Sequence, residues 1–238
     1  MLNSHDEWAR KRIGRFTASE IWKLFTDPRS KADKDAGKLS ETAMTYVMEK
    51  AIEEYTGFRK KFTSSAIEHG VSNEKEAFDS FCSMTGLPFT YCSKEYYPIS
   101  PIAGASPDGV LYDNLEPIAV LDVKCPQPVT FFEELTWYLK SDKDDEFGGI
   151  TKTYYYQLQF QMLATKTPTS FLAYYLAKDF TNLYTGEVEH TFDLPVDRRM
   201  FFVEIKANES VQKNMVERIE KAERIKQSFI RKWKGEND

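Results

Sequence analysis

The strongest constraint on this chain lies between Gly104 and Pro126. A Pro107-Asp108-Gly109 turn opens the apolar run Val110-Leu-Tyr112, and after a break at Asn114–Pro117 a second apolar run extends from Ile118 to Val123. Two β-runs joined by a short turn-like segment predict a hairpin. The second run carries Asp122, with Lys124 two residues on. Side chains alternate along a strand, so these two point the same way. A strand buried on both faces does not normally hold charges unless they are paired or have a task. An Asp in a Pro-Asp-Gly turn is, taken alone, an ordinary turn residue. With Asp122 and Lys124 it completes a trio of two carboxylates and one lysine that can meet at one end of a sheet.

Metal-assisted phosphodiester hydrolysis uses such a trio. Mg²⁺ takes hard oxygen ligands, and one or two carboxylates with waters and substrate phosphate satisfy it. A metal held there orients water, lowers its pKa and neutralises charge on the scissile phosphate. A neighbouring lysine positions or deprotonates the water, or holds the phosphate as a point charge. The pattern is loose as a motif, and the charged interruption of an apolar strand is what gives it weight.

The chain has 238 residues, 41% of them hydrophobic and 14% aromatic, which describes a folded globular protein with a sizeable core. No apolar run approaches the length of a membrane span. The opening residues, Met1 to Trp8, lack the basic and apolar regions of a signal peptide. Cys82, Cys92 and Cys125 are odd in number and scattered, which suits a reducing cytoplasm and matches no zinc or iron–sulfur spacing. The net charge of −5 counts against a generally basic DNA-coating surface but leaves room for local basic patches.

In chain order, residues 6–12 suit a short helix, acidic first and basic last. Thr17 and Glu20 form a capping box for a helix through Ile21, Leu24 and Phe25. Arg10, Lys11, Arg12 and Arg15 are either a solvated helix end or a phosphate-binding corner. Residues 26–39 read as an exposed loop. Ser40 caps a helix from Glu41 to about Tyr55, with Ala43, Val47, Ile52 and Tyr55 near one stripe and Gly57 as its stop. Arg59-Lys-Lys61 is a small basic cluster. Residues 64–85 are helical, with Ala77, Phe78 and Phe81 facing the core and Gly86 ending the pattern. Glu74 on this helix is a surface glutamate or a carboxylate turned toward the metal site; His69 reads as structural. Phe89–Tyr97 reads as β. Pro128 starts a helix, and Ser141–Gly149 is an acidic loop without calcium-loop spacing. In the helix spanning Ile150–Ala164, Gln157 and Gln161 share a face that either looks into a polar cleft or is half-exposed. Ser170–Leu176 is a buried strand and Val188–Leu194 a strand with one exposed face. Pro195–Lys234 reads as one long helix with Phe202, Ile205, Val211, Met215 and Ile219 at helical spacing.

No internal repeat or composition break divides the chain. The order predicts one α+β domain with a central mixed β-sheet flanked by helices: N-terminal helices over 1–86, sheet and catalytic core over 87–194, C-terminal helix over 195–238.

Four separated blocks together resemble the lambda-exonuclease-like (YqaJ-type viral recombinase) family of the PD-(D/E)xK nuclease superfamily. They are Arg12-x-Gly14-x-x-Thr17-Ala18-Ser19, His69-Gly70-x-x-x-Glu74, Gly104-x-Ser106-Pro-Asp108-Gly109 with Asp122-x-Lys124-Cys-Pro126, and Tyr154-x-x-Gln157-x-Gln159. The resemblance implies a restriction-endonuclease-like core. It implies that Asp108 and Asp122 ligate Mg²⁺, two ions with Mn²⁺ as a possible substitute, and that the Val123 carbonyl is a further ligand. Lys124 would position or activate water, and Glu74 would orient Lys124 or a metal-bound water. Arg12, Thr17, Ser19 and Gln157 would bind DNA near a 5′-phosphate. The family often has Glu where this chain has Asp122, which keeps the charge and shortens the reach by one methylene.

The same resemblance implies a 5′→3′ exonuclease on double-stranded DNA ends, leaving a 3′ single strand for an annealing partner protein in phage-type recombination. It further implies a trimeric ring in the cytoplasm of a bacterial host, a shape in which only the channel need be basic. The alternatives are an endonuclease of the same fold and a non-catalytic module that binds DNA ends.

Overall fold

The computed structural model describes residues 4–60, 63–182 and 185–236, so the expectations touching Met1–Asn3 and Lys61 lie outside the described residues. In chain order the elements are α1 (Ser4–Arg10), β1 (Phe16–Thr17), a 3-10 helix (Ala18–Phe25), α2 (Lys31–Asp35), α3 (Glu41–Thr56), α4 (Ser65–Thr85), β2 (Thr90–Tyr91), β3 (Tyr97–Ser100), β4 (Ala103–Ala105), β5 (Gly109–Asp113) and β6 (Glu116–Lys124). There follow α5 (Pro128–Lys140), α6 (Lys152–Thr165), β7 (Thr169–Tyr175), β8 (Asp179–Thr181), β9 (Val188–Thr191), a 3-10 turn (Val196–Arg198), β10 (Met200–Lys206) and α7 (Glu209–Trp233).

The expected hairpin is β5–β6, turned through Asn114 and Leu115 at φ 47° and 72°. Positive φ at both central residues is what matches a two-residue turn to the twist of its strands. The main sheet has the order β10-β7-β6-β5-β2, with β6 and β7 parallel and the other pairs antiparallel. The parallel pair needs a crossover, and α5 and α6 supply it. Three short strands, β1-β4-β3, form a second sheet that joins the N-terminal segment to the strand leading into Asp108.

Because β6 is central, its alternation divides the core in two. Leu121 and Val123 face α4, where they pack with Ala77, Phe78 and Phe81. Val120 faces the other layer, built from α6, α3, α7 and the 3-10 helix. Phe81 is fully buried and meets Phe89, Phe171 and Phe202 edge-on or tilted at 5.3–5.8 Å between ring centres.

The helix caps follow the local sequence. The Ser40 side chain accepts from Ala43 N–H and the Ser64 side chain from Ile67 N–H, while Gly57 and Gly86 close α3 and α4 at φ 69° and 71°. Six expectations are corrected. Thr17 precedes a 3-10 helix and its side chain makes no capping bond. The loop over 26–39 contains α2, capped by Ser30. Ile52 and Tyr55 are exposed, and α3 buries Tyr46, Lys50 and Glu53 instead. The β pattern at Phe89–Tyr97 is cut to Thr90–Tyr91, with strand resuming at Tyr97, and Val188–Thr191 is exposed on both faces.

The sixth correction is the largest. The segment 195–206 is a 3-10 turn and β10, an outer strand of the main sheet, rather than the start of the C-terminal helix. Met200, Val203 and Ile205 are its buried positions, and Asn208 restarts the chain as the N-cap of α7, accepting from Val211 N–H at 3.1 Å. No described helix is long and apolar enough to cross a membrane.

Phe81→Ala removes the ring on which three aromatics converge and is expected to cost about 3–5 kcal/mol. Phe58→Ala, at a side chain 66% exposed, is expected to cost under about 0.5 kcal/mol. Urea unfolding of the two variants checks the contrast.

Candidate active site

Asp108 sits immediately before β5, where the hairpin ladder ends. Its N–H donates to the Leu121 carbonyl at 3.0 Å, and its carboxylate Oδ2 accepts from Val123 N–H at 2.8 Å. The turn aspartate thus stands in for a ladder partner and is locked beside the strand that carries Asp122 and Lys124.

Asp122 is 2% exposed and lies under α6. Its Oδ1 accepts from Gln157 Nε2 at 2.6 Å and Gln161 Nε2 at 2.8 Å. These two amides come from adjacent turns of α6, as their four-residue spacing allows. The Asp122 Oδ2 faces the Lys124 ammonium as an ion pair but makes no hydrogen bond of good geometry. Lys124 also reaches Gln157 Oε1 at 3.5 Å and lies 5.2 Å from the Tyr154 ring centre. Of the two readings of α6, the inward-facing polar one holds. Residues Tyr155–Met162 are all buried, and the half-exposed amphipathic helix is excluded.

A cleft of about 350 Å³ contains every residue to which the resemblance gives a catalytic, metal-binding or DNA-binding role. Asp108, Asp122, Val123, Lys124 and Gln157 form its floor; Glu74 comes from α4, and Arg12, Thr17 and Ser19 from the N-terminal segment. Glu74 does not touch Lys124. It accepts from Tyr91 Oη at 2.7 Å, and Ser93 Oγ in turn donates to that phenol at 2.9 Å. Burial and then Glu74 push the Tyr91 pKa up to about 12, against the opposing effect of the bond from Ser93. Tyr91, Gln161, Trp8 and Ser106 line the cleft and had no assigned role. The spacing of Gln161 from Gln157 was the signal for one of them; nothing local marks the others.

Electrostatically, the cleft floor is under-compensated. Burial raises the Asp108 pKa well above the carboxylate range, and the charges of Asp122 and Glu74 raise it further. Burial alone would lower the Lys124 pKa, but Asp122 and Asp108 outweigh it and hold the ammonium firmly protonated. Among the described residues, no three His, Cys, Asp or Glu side chains close a metal cage. A pair of carboxylates whose mutual repulsion raises one pKa fits a hard cation that retains waters and takes its remaining ligands from a phosphate. The residues present therefore fit Mg²⁺ better than a metal needing a complete protein cage.

At the rim, Arg12 lies 4.2 Å from the Trp8 ring centre, and Trp8 Nε1 donates to Ser106 Oγ at 2.9 Å. Burial, then the charge of Arg59, lowers the Arg12 pKa to about 10. No carboxylate among the described residues is ion-paired with it. A guanidinium held against an aromatic ring and left without a counter-ion is prepared for an anion.

Residues 7–168 match the model of the YqaJ-like viral recombinase domain. The fold is similar to that of an alkaline exonuclease from Laribacter hongkongensis, at 20% identity over 96% of both chains with a TM-score of 0.69. The same enzyme in complex with dAMP aligns at a TM-score of 0.67, again at 20% identity over 96% of both chains. A phage-related exonuclease from Haemophilus somnus 129PT aligns at 19% identity over 92% of this chain and 96% of that one, with a TM-score of 0.70. No curated protein matches the sequence significantly.

The raised Asp108 pKa has a stability consequence. A carboxyl whose folded pKa exceeds its unfolded value, about 3.9, contributes fully below that unfolded value, and the contribution is lost as pH rises through the folded value. In EDTA, wild-type protein is therefore expected to lose stability as pH rises from 5 to 8, and Asp108→Asn to flatten that slope. Mg²⁺ should raise the wild-type melting temperature at pH 8 and leave the variant nearly unmoved. Thermal melts across pH, with and without Mg²⁺, check both statements.

Proposed function

The chain belongs to the YqaJ-like viral recombinase family, and from that premise we propose that it is a Mg²⁺-dependent 5′→3′ exonuclease acting on double-stranded DNA ends. The observation that carries this reading is the convergence of Asp108, Asp122 and Lys124 on one cleft floor with an uncompensated Arg12 at its rim. The solved proteins of similar fold described as exonucleases support it.

In this reading Asp108, Asp122 and the Val123 carbonyl hold the metal. When bound, the cation orients water, lowers its pKa and neutralises charge on the phosphate. Gln157 and Gln161 fix the Asp122 rotamer, so its free oxygen presents one geometry. Lys124 occupies the space against that oxygen as a stand-in cation. Once the two carboxylates are compensated from elsewhere, the cause of its raised pKa is gone, and Lys124 can turn to the attacking water or hold the scissile phosphate. Glu74, held by Tyr91, contributes negative charge across the cleft and orients water there.

Arg12, Ser19 and the Thr17 edge take the terminal 5′-phosphate. An anchored end explains exonuclease rather than internal cutting, because the distance from rim to floor then counts nucleotides from the terminus. The 3′ strand left behind is the substrate of a single-strand annealing partner. A ring of three chains around the duplex would reconcile a net charge of −5 with DNA binding.

The test incubates a linear duplex with a 5′-phosphate, its 5′-hydroxyl counterpart and a closed circle with Mg²⁺ or EDTA, mapping products from both ends. Mg²⁺-dependent loss from the phosphorylated 5′ end, with the circle intact, is the expected result. Cutting of the circle, or equal loss from both strands, contradicts the proposal. Lys124→Ala is expected to slow cleavage by about 10²–10⁴-fold and Asp122→Ala to abolish it, both with circular dichroism spectra like wild type.

A further inference from the structure

The turn that presents Arg12 is held from behind by charged side chains outside the cleft. Arg15 N–H donates to the Arg12 carbonyl at 3.2 Å, closing a turn whose third residue is Gly14 at φ +68°. A left-handed residue at that place favours glycine. A Cβ there would also lie 2.7 Å from Glu54 Cβ on α3. Both backbone groups of Gly14 are claimed by ionised side chains. Its N–H donates to Glu53 Oε2 at 3.0 Å, and its carbonyl accepts from Lys226 Nζ at 2.9 Å.

The two clamping residues come from different helices, α3 and α7, and neither lines the cleft. Lys226 is 1% exposed, with Glu54 Oε2 at 2.6 Å and Glu223 Oε2 at 2.8 Å as its counter-ions. Glu53 is in turn held by Lys50, also 1% exposed, whose Nζ lies 3.0 Å from Glu53 Oε1 and 3.4 Å from Glu20 Oε2. Burying two lysines and their carboxylates gains little net stability over apolar packing. What it does supply is direction: each ion is fixed by two or more partners, so the Gly14 peptide groups can sit in only one place. Downstream, Thr17 N–H is held by Tyr46 Oη at 3.1 Å, from the same face of α3.

We infer that Lys226 and Glu53, through Gly14, are positioning residues for Arg12, and that this buried clamp sets how strongly the protein prefers a phosphorylated DNA end. The inference rests on the reading of Arg12 as the phosphate anchor. Arg12 is two residues from the clamped peptide and, among the described residues, has no ion pair to fix it, with the Trp8 ring centre 4.2 Å away, so its location depends on the backbone that carries it.

The experiment measures kcat/KM on 5′-phosphate and 5′-hydroxyl duplexes for wild type, Arg12→Ala, Lys226→Met and Gly14→Ala, with the preference between ends as the readout. Arg12→Ala tests the underlying reading and is expected to reduce the preference by about tenfold or more, the loss of a charge-assisted contact. Lys226→Met is expected to reduce it to nearly the Arg12→Ala value, and adding it to Arg12→Ala should reduce it no further. If Lys226→Met does not fold, Gly14→Ala carries the same expectation through strain at the turn.

A merely structural role lowers both rates by one factor and leaves the preference at its wild-type value; that result in a folded clamp variant overturns the inference while Arg12→Ala still upholds the anchor. Wild-type protein without any preference, or Arg12→Ala with an unchanged one, overturns the anchor and the inference together.

Discussion

A carboxylate buried on the central strand of a sheet is the constraint from which the rest of this structure follows. Asp122 lies where an apolar side chain would otherwise complete the layer between β6 and α6. Leaving it unpartnered would cost several kcal/mol, so the helix above it cannot present only hydrocarbon. It presents Gln157 and Gln161, each giving a neutral amide N–H to the same oxygen. Neutral donors satisfy the carboxylate without discharging it, and the negative charge stays available at the cleft. The remaining polar residue of that helix stretch, Gln159, turns to the other side and binds β10 and the start of α7, through Lys206 O and Asn208 N–H at 2.8 Å each. One helix therefore braces the carboxylate floor and the C-terminal third together.

The site's charges are arranged in two ways. On the floor, Asp108, Asp122 and Lys124 are crowded: burial and the neighbouring carboxylates raise the Asp108 pKa, and Asp122 and Asp108 raise that of Lys124 against its burial. At the rim, Arg12 has no ion pair among the described residues and is laid against an aromatic ring. Glutamates near that turn are already engaged: Glu53 by Lys50 and Gly14, Glu54 by Lys226, Glu20 by Lys23. The excess of acidic residues in the chain is thus compatible with a local cation open to an anion, because the neighbouring carboxylates are occupied.

The hairpin, the helix caps and the shared face of Asp122 and Lys124 were legible because each depends on neighbours within a few residues. Ser40, Gly57 and Gly86 mark helix ends by local hydrogen bonding and φ, and the structure has them there. What was not legible depends on distant partners. Met200–Lys206 has apolar residues at spacings that serve a helix or a strand; pairing with β7 decides for strand, and a read-through of the periodicity into α7 was the consequence. Lys50 and Lys226 look like surface lysines, since their burial is set by carboxylates and a carbonyl brought from other elements. The role of Gln157 against Asp122 needed the helix to be placed over the sheet, which no spacing along the chain reveals.

The bond from Lys226 to Gly14 joins residues 212 positions apart. During synthesis the chain emerges from its N-terminus, so the hairpin with both carboxylates and the lysine is complete long before α7 leaves the ribosome. Until then the Gly14 carbonyl has no Lys226, and the turn bearing Arg12 lacks half of its support. β10 and α7 are made well after the hairpin, and closing a loop of this length comes late in folding. A nascent chain, or one clipped in α7, therefore possesses the floor of the cleft without a settled rim. The support of the Arg12 turn is thus a long-range closure, delayed by the order in which the chain is made.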